Sequence, residues 1–224
     1  GVPLDEIGAT GRGIAVAADA VEAVTGIPLQ GARVAIQGYG AVGKWAARFL
    51  AERGAVLVAA SDSRGAVHAP NGLEISELEA AKASGQSVID VGPELKGDIF
   101  GVACDILVPA ARPDVIHADN VGSIRAKLIL QGANIPATIE AEKKLHGRGI
   151  LVAPDFIANA GGVICASEEY HGRSEAEAVM AIERKISRNM EEVLIRAKVE
   201  NTAPRTAAMA MARERIVTAM SFRR

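Results

Sequence analysis

The sequence predicts an α/β fold with a doubly wound, mostly parallel sheet and additional helices at the carboxyl end. Short apolar runs typical of buried strands alternate with helical patterns as far as residue 155, and after Ser174 only helical patterns follow. Strands that alternate with helices are joined by right-handed crossovers and therefore lie parallel. The carboxyl ends of such strands meet at one edge of the sheet, where ligands of this fold class bind.

The first half of the chain is predicted to hold a helix and then strand–helix units. Apolar residues recur at helical spacing over 10–25, and Gly26-Ile27-Pro28 ends that helix. Ser76-Glu77-Leu78-Glu79 has the pattern of a capping box, which predicts the start of a helix that stops near Gly85. The predicted elements are a helix at 10–25, a strand at 33–37, a helix at 42–53, a strand at 55–61 and a helix at 76–85.

The second half is predicted to continue with strands and to close with helices. Thr138 can cap a short helix, because a threonine side chain accepts a hydrogen bond from the first turn. The segment ENTAP separates two long helical stretches. The predicted elements are strand-and-turn units at 104–111, 126–134 and 149–155, a helix from Thr138 to Leu145, and helices at 174–199 and 204–221.

Composition excludes several classes of function. Lysine plus arginine number 25 against 27 acidic residues, and aromatic residues make up 3%, so we expect no nucleic-acid surface. No apolar run reaches the roughly 18–20 residues that cross a bilayer, so we expect no membrane span. Cys104 and Cys165 fit no metal-ligand spacing, and we expect buried free thiols in a reducing cytoplasm and no metal site.

The turn after the first predicted strand, Gly38-Tyr39-Gly40-Ala41-Val42-Gly43, matches the pattern G-x-G-x-x-G. Gly38 would allow the tight turn, Gly40 the close approach of a pyrophosphate, and Gly43 the close packing of helix on strand. The helix amino end at Ala41 and Val42 would offer free N–H groups to the phosphates. The turn therefore predicts a Rossmann-type dinucleotide-binding domain, and a glycine-rich turn that binds nothing is the alternative.

The next strand ends at Asp62, about 20 residues beyond the glycine turn, where this fold places a ribose-binding carboxylate. A carboxylate there favours a free 2′-hydroxyl group and hence NAD, because it would repel a 2′-phosphate. Ser63 and Arg64 follow immediately and could donate hydrogen bonds to such a phosphate. NAD is therefore the predicted cofactor, and NADP or dual use remains open.

Six short blocks occur in order along the chain. They are GATGRGI (8–14), VAIQGYGAVG (34–43), ASDSRG (60–65), DILVPAA (105–111), GAN (132–134) and PDFIANAGGVI (154–164). Over about residues 1–221 they resemble the cofactor-binding domain of the glutamate/leucine/phenylalanine/valine dehydrogenases. The resemblance implies an enzyme that oxidatively deaminates an L-amino acid to a 2-oxo acid and ammonia while it reduces NAD(P).

The resemblance also implies roles for individual residues. Thr10 is expected to meet the nicotinamide carboxamide, and Ala110 and Ala111 to form the turn over the adenosine side of the cofactor. Asn134 and Asn159 are expected to bond near the nicotinamide ribose. Each polar residue has a structural alternative, because threonine is also a natural helix cap and asparagine a natural turn or cap residue.

On the substrate side the resemblance points to Asn159, Val163 and Ala166. Glutamate-specific members carry a serine at the position of Ala166, and an apolar residue there favours the branched-chain members instead. The blocks ATGRG and GAN favour the glutamate-specific members. Glutamate is the predicted substrate, and a leucine/valine-type domain is the alternative.

Further expectations concern parts of the enzyme that this chain lacks. The resemblance places the catalytic lysine and the acid/base aspartate in an amino-terminal substrate domain, and this chain starts after that domain would end. We therefore expect a dinucleotide-binding domain at 1–200 with no catalytic residue, and a helix at 201–224 that packs back toward the missing domain. We expect the fragment alone to be inactive, and the full-length enzyme to be a cytoplasmic homo-hexamer. A stand-alone NAD-binding sensor module is the alternative from another class.

Overall fold

One sheet of six strands forms the centre of the fold. The computed structural model describes residues 6–222, so the ends of the two expected domains, 1–5 and 223–224, lie outside the described residues. The strands are β1 (Arg33–Gln37), β2 (Val56–Ser61), β3 (Ala66–His68), β4 (Ile106–Pro109), β5 (Leu128–Leu130) and β6 (Leu151–Ala153). Their order is β3-β2-β1-β4-β5-β6, and every pairing is parallel except β2 with β3. The predicted doubly wound, mostly parallel sheet is confirmed.

Helices cover both faces of the sheet. They are α1 (Ala9–Thr25), α2 (Ala41–Ala51), α3 (Ile75–Ala83), α4 (Ile139–Gly147), α5 (Asp155–Ala158), α6 (Gly161–Tyr170), α7 (Glu175–Glu200) and α8 (Pro204–Ser221). Successive strand residues point to opposite faces, so Val34 and Ile36 of β1 join the core under α1, α2 and α7. Ala35 joins the second core, beside α4. The continuous apolar runs of the sequence follow from this burial on two faces.

The carboxy-terminal helices form as predicted and close one face. The side chain of Ser174 and that of Glu177 cap each other's backbone at the start of α7. Asn201 ends α7 in the left-handed conformation with φ of 49°, and Pro204 starts α8 after it. Within residues 6–222 no helix has the length and apolar character that would cross a bilayer.

The predicted capping box at Ser76 is wrong. Helix α3 begins one residue earlier, and its N-cap is Glu74, whose side chain makes no capping hydrogen bond. The backbone N–H of Leu73 donates to the carbonyl of Leu57 in β2 at 2.7 Å. This bond to the sheet fixes where the chain turns into the helix, so a tertiary contact overrides the local capping pattern.

The sequence pattern also missed β3, α5 and α6. Strand β3 has three residues, too few for a periodic signal, and its pairing with β2 defines it. Helix α6 begins with Gly161 and Gly162, which are poor helix formers. A Cβ atom at Gly161 would lie 1.9 Å from the carbonyl oxygen of Ala9, so close packing against α1 requires glycine there.

Replacing Gly43 by alanine is expected to lower the free energy of unfolding by about 1–3 kcal/mol. The added Cβ would lie 2.1 Å from the carbonyl oxygen of Gly38, and this backbone contact cannot relax without moving β1 or α2. Gly122→Ala is the matched control, because no atom lies within 4 Å of a Cβ there. Denaturant titration measures both variants, and equal midpoints would contradict the close packing at Gly43.

Candidate functional site

Two adjoining pockets lie at the carboxyl edge of the sheet. The glycine pocket, of about 780 Å³, is lined by Gly38–Val42, Ser61–Ser63 and Lys82. The asparagine pocket, of about 840 Å³, is lined by residues that include Asn134 and Asn159. Four residues line both pockets, so the two are ends of one cleft: Val42, Ala110, Ala111 and Arg112.

Most of the predicted site residues meet in this cleft. The glycine pocket receives Gly38, Gly40, Ala41, Val42, Asp62, Ser63, Ala110 and Ala111. The asparagine pocket receives Thr10, Asn134, Asn159 and Val163 together with the shared residues. Gly43 lies beneath the cleft, where it packs on Gly38. Ala166, on the same helix α6 as Val163, lines neither pocket.

Backbone hydrogen bonds hold the glycine turn against β2. The N–H groups of Gly38 and Tyr39 donate to the carbonyl of Ser61 at 3.1 and 2.6 Å. Gly38 has φ of 98°, and a Cβ there would meet the backbone of Ala111 at 2.8 Å, so only glycine fits. This turn aims the first residues of α2 at the centre of the cleft.

The amino end of α2 is open. Its N-cap is Gly40, which provides no side chain to accept from the N–H groups of the first turn. No atom lies within 4 Å of where a Cβ of Gly40 would be, so a ligand can reach the backbone. Free N–H groups and the positive end of the helix dipole together favour an anion at this point.

Asp62 lies at the far end of the glycine pocket, and its carboxylate is fully hydrogen-bonded within the protein. It accepts from the backbone N–H groups of Arg64 and Val88, from Ser87 Oγ and from Lys82 Nζ, at 2.8–3.1 Å. Burial alone would raise the pKa of this carboxyl group, but these bonds hold the pKa well below its usual value. A ribose hydroxyl group that bonds to Asp62 must displace one of these four donors.

The side chains of Ser63 and Arg64, the two residues after Asp62, lie in different places. Ser63 is exposed and lines the glycine pocket. The guanidinium of Arg64 turns away and bonds to both carboxylate oxygens of Asp90 at 3.0 Å. Arg64, which the sequence offered as a phosphate donor, therefore has its charge paired outside the pockets. Lys82, which bonds to Asp62, and Arg112 are cations that line the glycine pocket.

The two predicted asparagines contact each other. Asn159 Nδ2 donates to Asn134 Oδ1 at 2.8 Å and to the carbonyl of Gly132 at 3.4 Å. The turn that carries Asn134 is fixed to β4, because the N–H groups of Gly132 and Ala133 both donate to the carbonyl of Pro109. This hydrogen bond between the two asparagines links the turn after β5 to the residue that follows α5.

Thr10 is not a helix cap. The N-cap of α1 is Gly8, in the left-handed conformation with φ of 63°. Thr10 instead lies inside the first turn of α1 and lines the asparagine pocket beside Gly162. A Cβ at Gly162 would lie 3.0 Å from Thr10 Oγ1, so the glycine pair of α6 permits this close approach.

A charged cluster that no sequence pattern predicted lies beneath the asparagine pocket. Arg205 of α8 bonds to Glu142, Gln131 and Asp155, and the last of these lines the pocket. Arg205 was predicted only as part of a helix, and its partners come from three other segments. No local pattern links residues so far apart in the chain.

Within the described part of the chain, no group of three or more histidine, cysteine or acidic side chains is arranged to hold a metal ion. Cys165 is buried and Cys104 half-buried, and both are free thiols. The expected burial is therefore confirmed for Cys165, whereas Cys104 is only partly buried.

Comparison with known proteins finds relatives over the whole chain. The sequence model of the glutamate/leucine/phenylalanine/valine dehydrogenase family matches residues 1–224. A glutamate dehydrogenase from Aeropyrum pernix is 41% identical over 96% of this chain and 54% of its own length. An NADP(+)-dependent glutamate dehydrogenase from Pyrobaculum calidifontis is 37% identical over 100% of this chain and 56% of its own length. The chain spans about half the length of these curated relatives.

A solved structure shares the fold. The hetero-hexameric glutamate dehydrogenase from Thermus thermophilus, in its leucine-bound form, matches with a TM-score of 0.86 at 30% identity. The match covers 97% of this chain and 53% of that chain.

Replacing Asp62 by asparagine is expected to destabilise the fold by ~1–3 kcal/mol at neutral pH, because its donors lose a charged acceptor. A carboxyl group with a depressed folded-state pKa stabilises the fold above its unfolded pKa of about 3.9 and loses this effect as the pH falls. The difference in unfolding free energy between the parent chain and the variant should therefore be largest above about pH 5. It should shrink progressively as the pH falls below about 4 toward the depressed pKa of the folded state.

The control for this pH dependence is Asp119→Asn, because the Asp119 side chain is 93% exposed. It should leave the unfolding free energy nearly unchanged, as surface substitutions usually do. Denaturant titrations across the acidic range measure all three proteins. A difference between the parent chain and Asp62→Asn that does not vary with pH would contradict the assigned role of the carboxylate charge.

Proposed function

This chain belongs to the glutamate/leucine/phenylalanine/valine dehydrogenase family, and we propose that it forms the NAD(P)-binding domain of an L-amino-acid dehydrogenase. The observation that carries the proposal is the open position at Gly40, where the uncapped amino end of α2 faces the cleft. A dinucleotide has two nucleosides joined by a diphosphate, and the cleft has two pockets that adjoin at this helix end.

The glycine pocket suits the adenosine half of the cofactor. The diphosphate would bind the N–H groups at the start of α2, and the adenosine ribose would lie near Asp62 and Ser63. Ala110 and Ala111 line both pockets and would pack against the cofactor between its two halves. Small side chains at this crossing leave room for the ligand.

The asparagine pocket suits the nicotinamide half. Asn134 and Asn159 present amide groups for the nicotinamide ribose, and Thr10 lies at the same pocket for the carboxamide. When bound, the nicotinamide would accept a hydride from the amino acid. The residues of this chain would bind the cofactor and fix the orientation of its ring, on which hydride transfer depends.

NAD is the dinucleotide that we propose this chain prefers, with NADP or dual use as the alternative. The Asp62 charge opposes a 2′-phosphate, but Lys82 lies 2.9 Å from Asp62 and offsets that charge. The Lys82 side chain is 32% exposed and can turn toward the ligand. A relative from Pyrobaculum calidifontis is named as NADP(+)-dependent, which supports the alternative.

We propose that a substrate domain outside this chain supplies the proton-transfer groups, so that these 224 residues alone bind cofactor without turnover. Among the described residues that line the two pockets, the carboxylates are Asp62 and Asp155, and both are already hydrogen-bonded to cations. Exposed apolar residues of α8, Ile216, Val217 and Met220, would pack toward that domain. Glutamate-dependent reduction of NAD by the 224 residues alone would refute this part.

Glutamate is the proposed substrate, and a leucine- or valine-specific enzyme is the alternative. The curated relatives named here are glutamate dehydrogenases, whereas Ala166 departs from the glutamate-specific pattern. The kcat/KM values for glutamate and leucine in a protein with both domains decide between them. For that protein we propose a homo-hexamer, testable by light scattering, and a cytoplasmic location, testable by cell fractionation.

NADH is expected to bind the 224-residue chain, and Gly40→Ala should weaken binding by roughly ten- to hundredfold. The methyl group would keep the diphosphate from N–H groups whose hydrogen bonds to a charged group are worth ~1.5–3 kcal/mol. No atom lies within 4 Å of a Cβ at this position, so the variant should fold normally.

Gly122→Ala again serves as the control, since it also adds a methyl group in open space, away from the cleft. Titration calorimetry measures the dissociation constants of all three proteins, and thermal unfolding checks that they are folded. The proposed function fails if the parent chain does not bind NADH, or if Gly40→Ala binds it as tightly as the parent chain.

Replacing Lys82 by alanine is expected to weaken NADPH binding about tenfold and to leave NADH binding unchanged or stronger, because a charged hydrogen bond to phosphate contributes ~1.5 kcal/mol or more. Lys127→Ala is the matched control: Lys127 pairs with Asp105 at 3.0 Å, at the opposite edge of the sheet. Dissociation constants for both dinucleotides measure the effect. Equal changes for NADH and NADPH would remove Lys82 from cofactor discrimination.

A further inference from the structure

A half-buried arginine lies beneath the asparagine pocket without lining it. Arg205 Nε donates to Glu142 Oε2 at 2.7 Å, and one terminal nitrogen donates to Gln131 Oε1 at 2.8 Å and to Asp155 Oδ1 at 2.7 Å. All three partners are buried. Arg205 enters from α8, whereas its partners lie on α4, at the end of β5 and at the start of α5.

The partners of Arg205 also bond to each other. Gln131 Nε2 donates to Glu142 Oε1 at 2.7 Å, and the backbone N–H of Asp155 donates to Gln131 Oε1 at 2.9 Å. The network thus places two carboxylates around one guanidinium. Hydrogen bonds and opposite charges of this kind fix side-chain geometry more tightly than apolar contacts do.

Asp155 connects this network to both asparagines of the pocket. Its Oδ2 accepts from the backbone N–H of Ile135 at 2.8 Å, and its carbonyl accepts from the N–H of Asn159 at 2.8 Å. Ile135 has φ of 49°, an unfavourable conformation for a β-branched residue. The hydrogen bond from Ile135 to Asp155 therefore holds the Asn134–Ile135 turn in a conformation that it would not keep alone.

A second contact from Arg205 reaches the pocket wall. The guanidinium carbon lies 5.4 Å from the ring centre of Phe156, within the range of a cation–π contact. Phe156 lines the asparagine pocket. Arg205 thus supports the pocket through Asp155 on one side and Phe156 on the other, although it does not reach the ligand space itself.

We propose that Arg205 is a positioning residue for the nicotinamide half of the cofactor, and this inference rests on the proposed function. Arg205 holds the side chain of Asp155 in place. Asp155 in turn accepts hydrogen bonds from the backbone N–H groups of Ile135, next to Asn134, and of Asn159. The two asparagine side chains are therefore held in place before the ligand binds. Loss of the guanidinium leaves two buried carboxylates without their cation, so the Asp155 contacts loosen.

A purely structural anchor for α8 would behave differently. Removing such an anchor lowers the stability of the fold but does not discriminate between ligands. The positioning role acts on one half of the cleft, so it changes the ratio between the affinities for NADH and for ADP. ADP lacks the nicotinamide and its ribose and would use only the glycine pocket and the helix end.

The test measures dissociation constants of NADH and ADP by calorimetry in the full 224-residue chain and in Arg205→Ala. We expect NADH binding to weaken about tenfold or more, and ADP binding to change less than about twofold. Arg196→Ala is the matched control, because Arg196 is 27% exposed against 25% for Arg205 and also pairs with two carboxylates, Glu200 and Glu214. That variant should leave the NADH-to-ADP ratio unchanged.

The conservative variant Arg205→Lys keeps the charge but has a single donor group, so we expect a smaller loss that is again confined to NADH. If Arg205→Ala does not fold, the same measurements on Arg205→Lys provide the test. A parent chain that binds NADH, combined with Arg205 variants that lose NADH and ADP affinity equally or lose neither, overturns the positioning role alone. A parent chain that binds neither ligand overturns the proposed function, and this inference with it.

Discussion

The cleft depends on the close packing of one glycine turn between β1 and α2. Two N–H groups of the turn share the carbonyl of Ser61, and Gly43 lies so close to the carbonyl of Gly38 that no Cβ fits. These contacts bring the amino end of α2 to the carboxyl edge of the sheet, with Gly40 open at its tip. The anion-binding character of the cleft follows, because helix N–H groups without partners attract negative charge.

Each end of the cleft is stabilised by a buried carboxylate that a cation from another element neutralises. Asp62 meets Lys82 of α3 at the glycine pocket, and Asp155 meets Arg205 of α8 at the asparagine pocket. Both carboxylates also accept backbone N–H groups, so each fixes a loop whose neighbours line the cleft. Isolated buried charges would be costly, and paired ones can hold irregular backbone in place.

The sequence identified the cleft better than it identified the partners within it. Gly40 and Asn134 lie at the carboxyl edge because every strand–turn unit of a parallel sheet ends there, which follows from topology. The state of Asp62 could not be predicted in the same way, because its donors Lys82, Ser87 and Val88 come from a helix and a loop that no local pattern connects to it. Ala166 lines neither pocket, so its expected place near the substrate stays a prediction.

The sequence by itself determined the alternation of strands and helices, the glycine turn and the long helices at the carboxyl end, because periodicity and backbone preference are properties of neighbouring residues. The tertiary structure alone decided where α3 begins, that β3 forms, and that Arg205 meets Asp155 across 50 residues of chain. Such contacts form only when whole helices and strands pack together. No local sequence pattern links the residues that then meet. The predicted capping box at Ser76 does not form for the same reason: the hydrogen bond from Leu73 to β2 determines the start of α3 in place of the local sequence pattern.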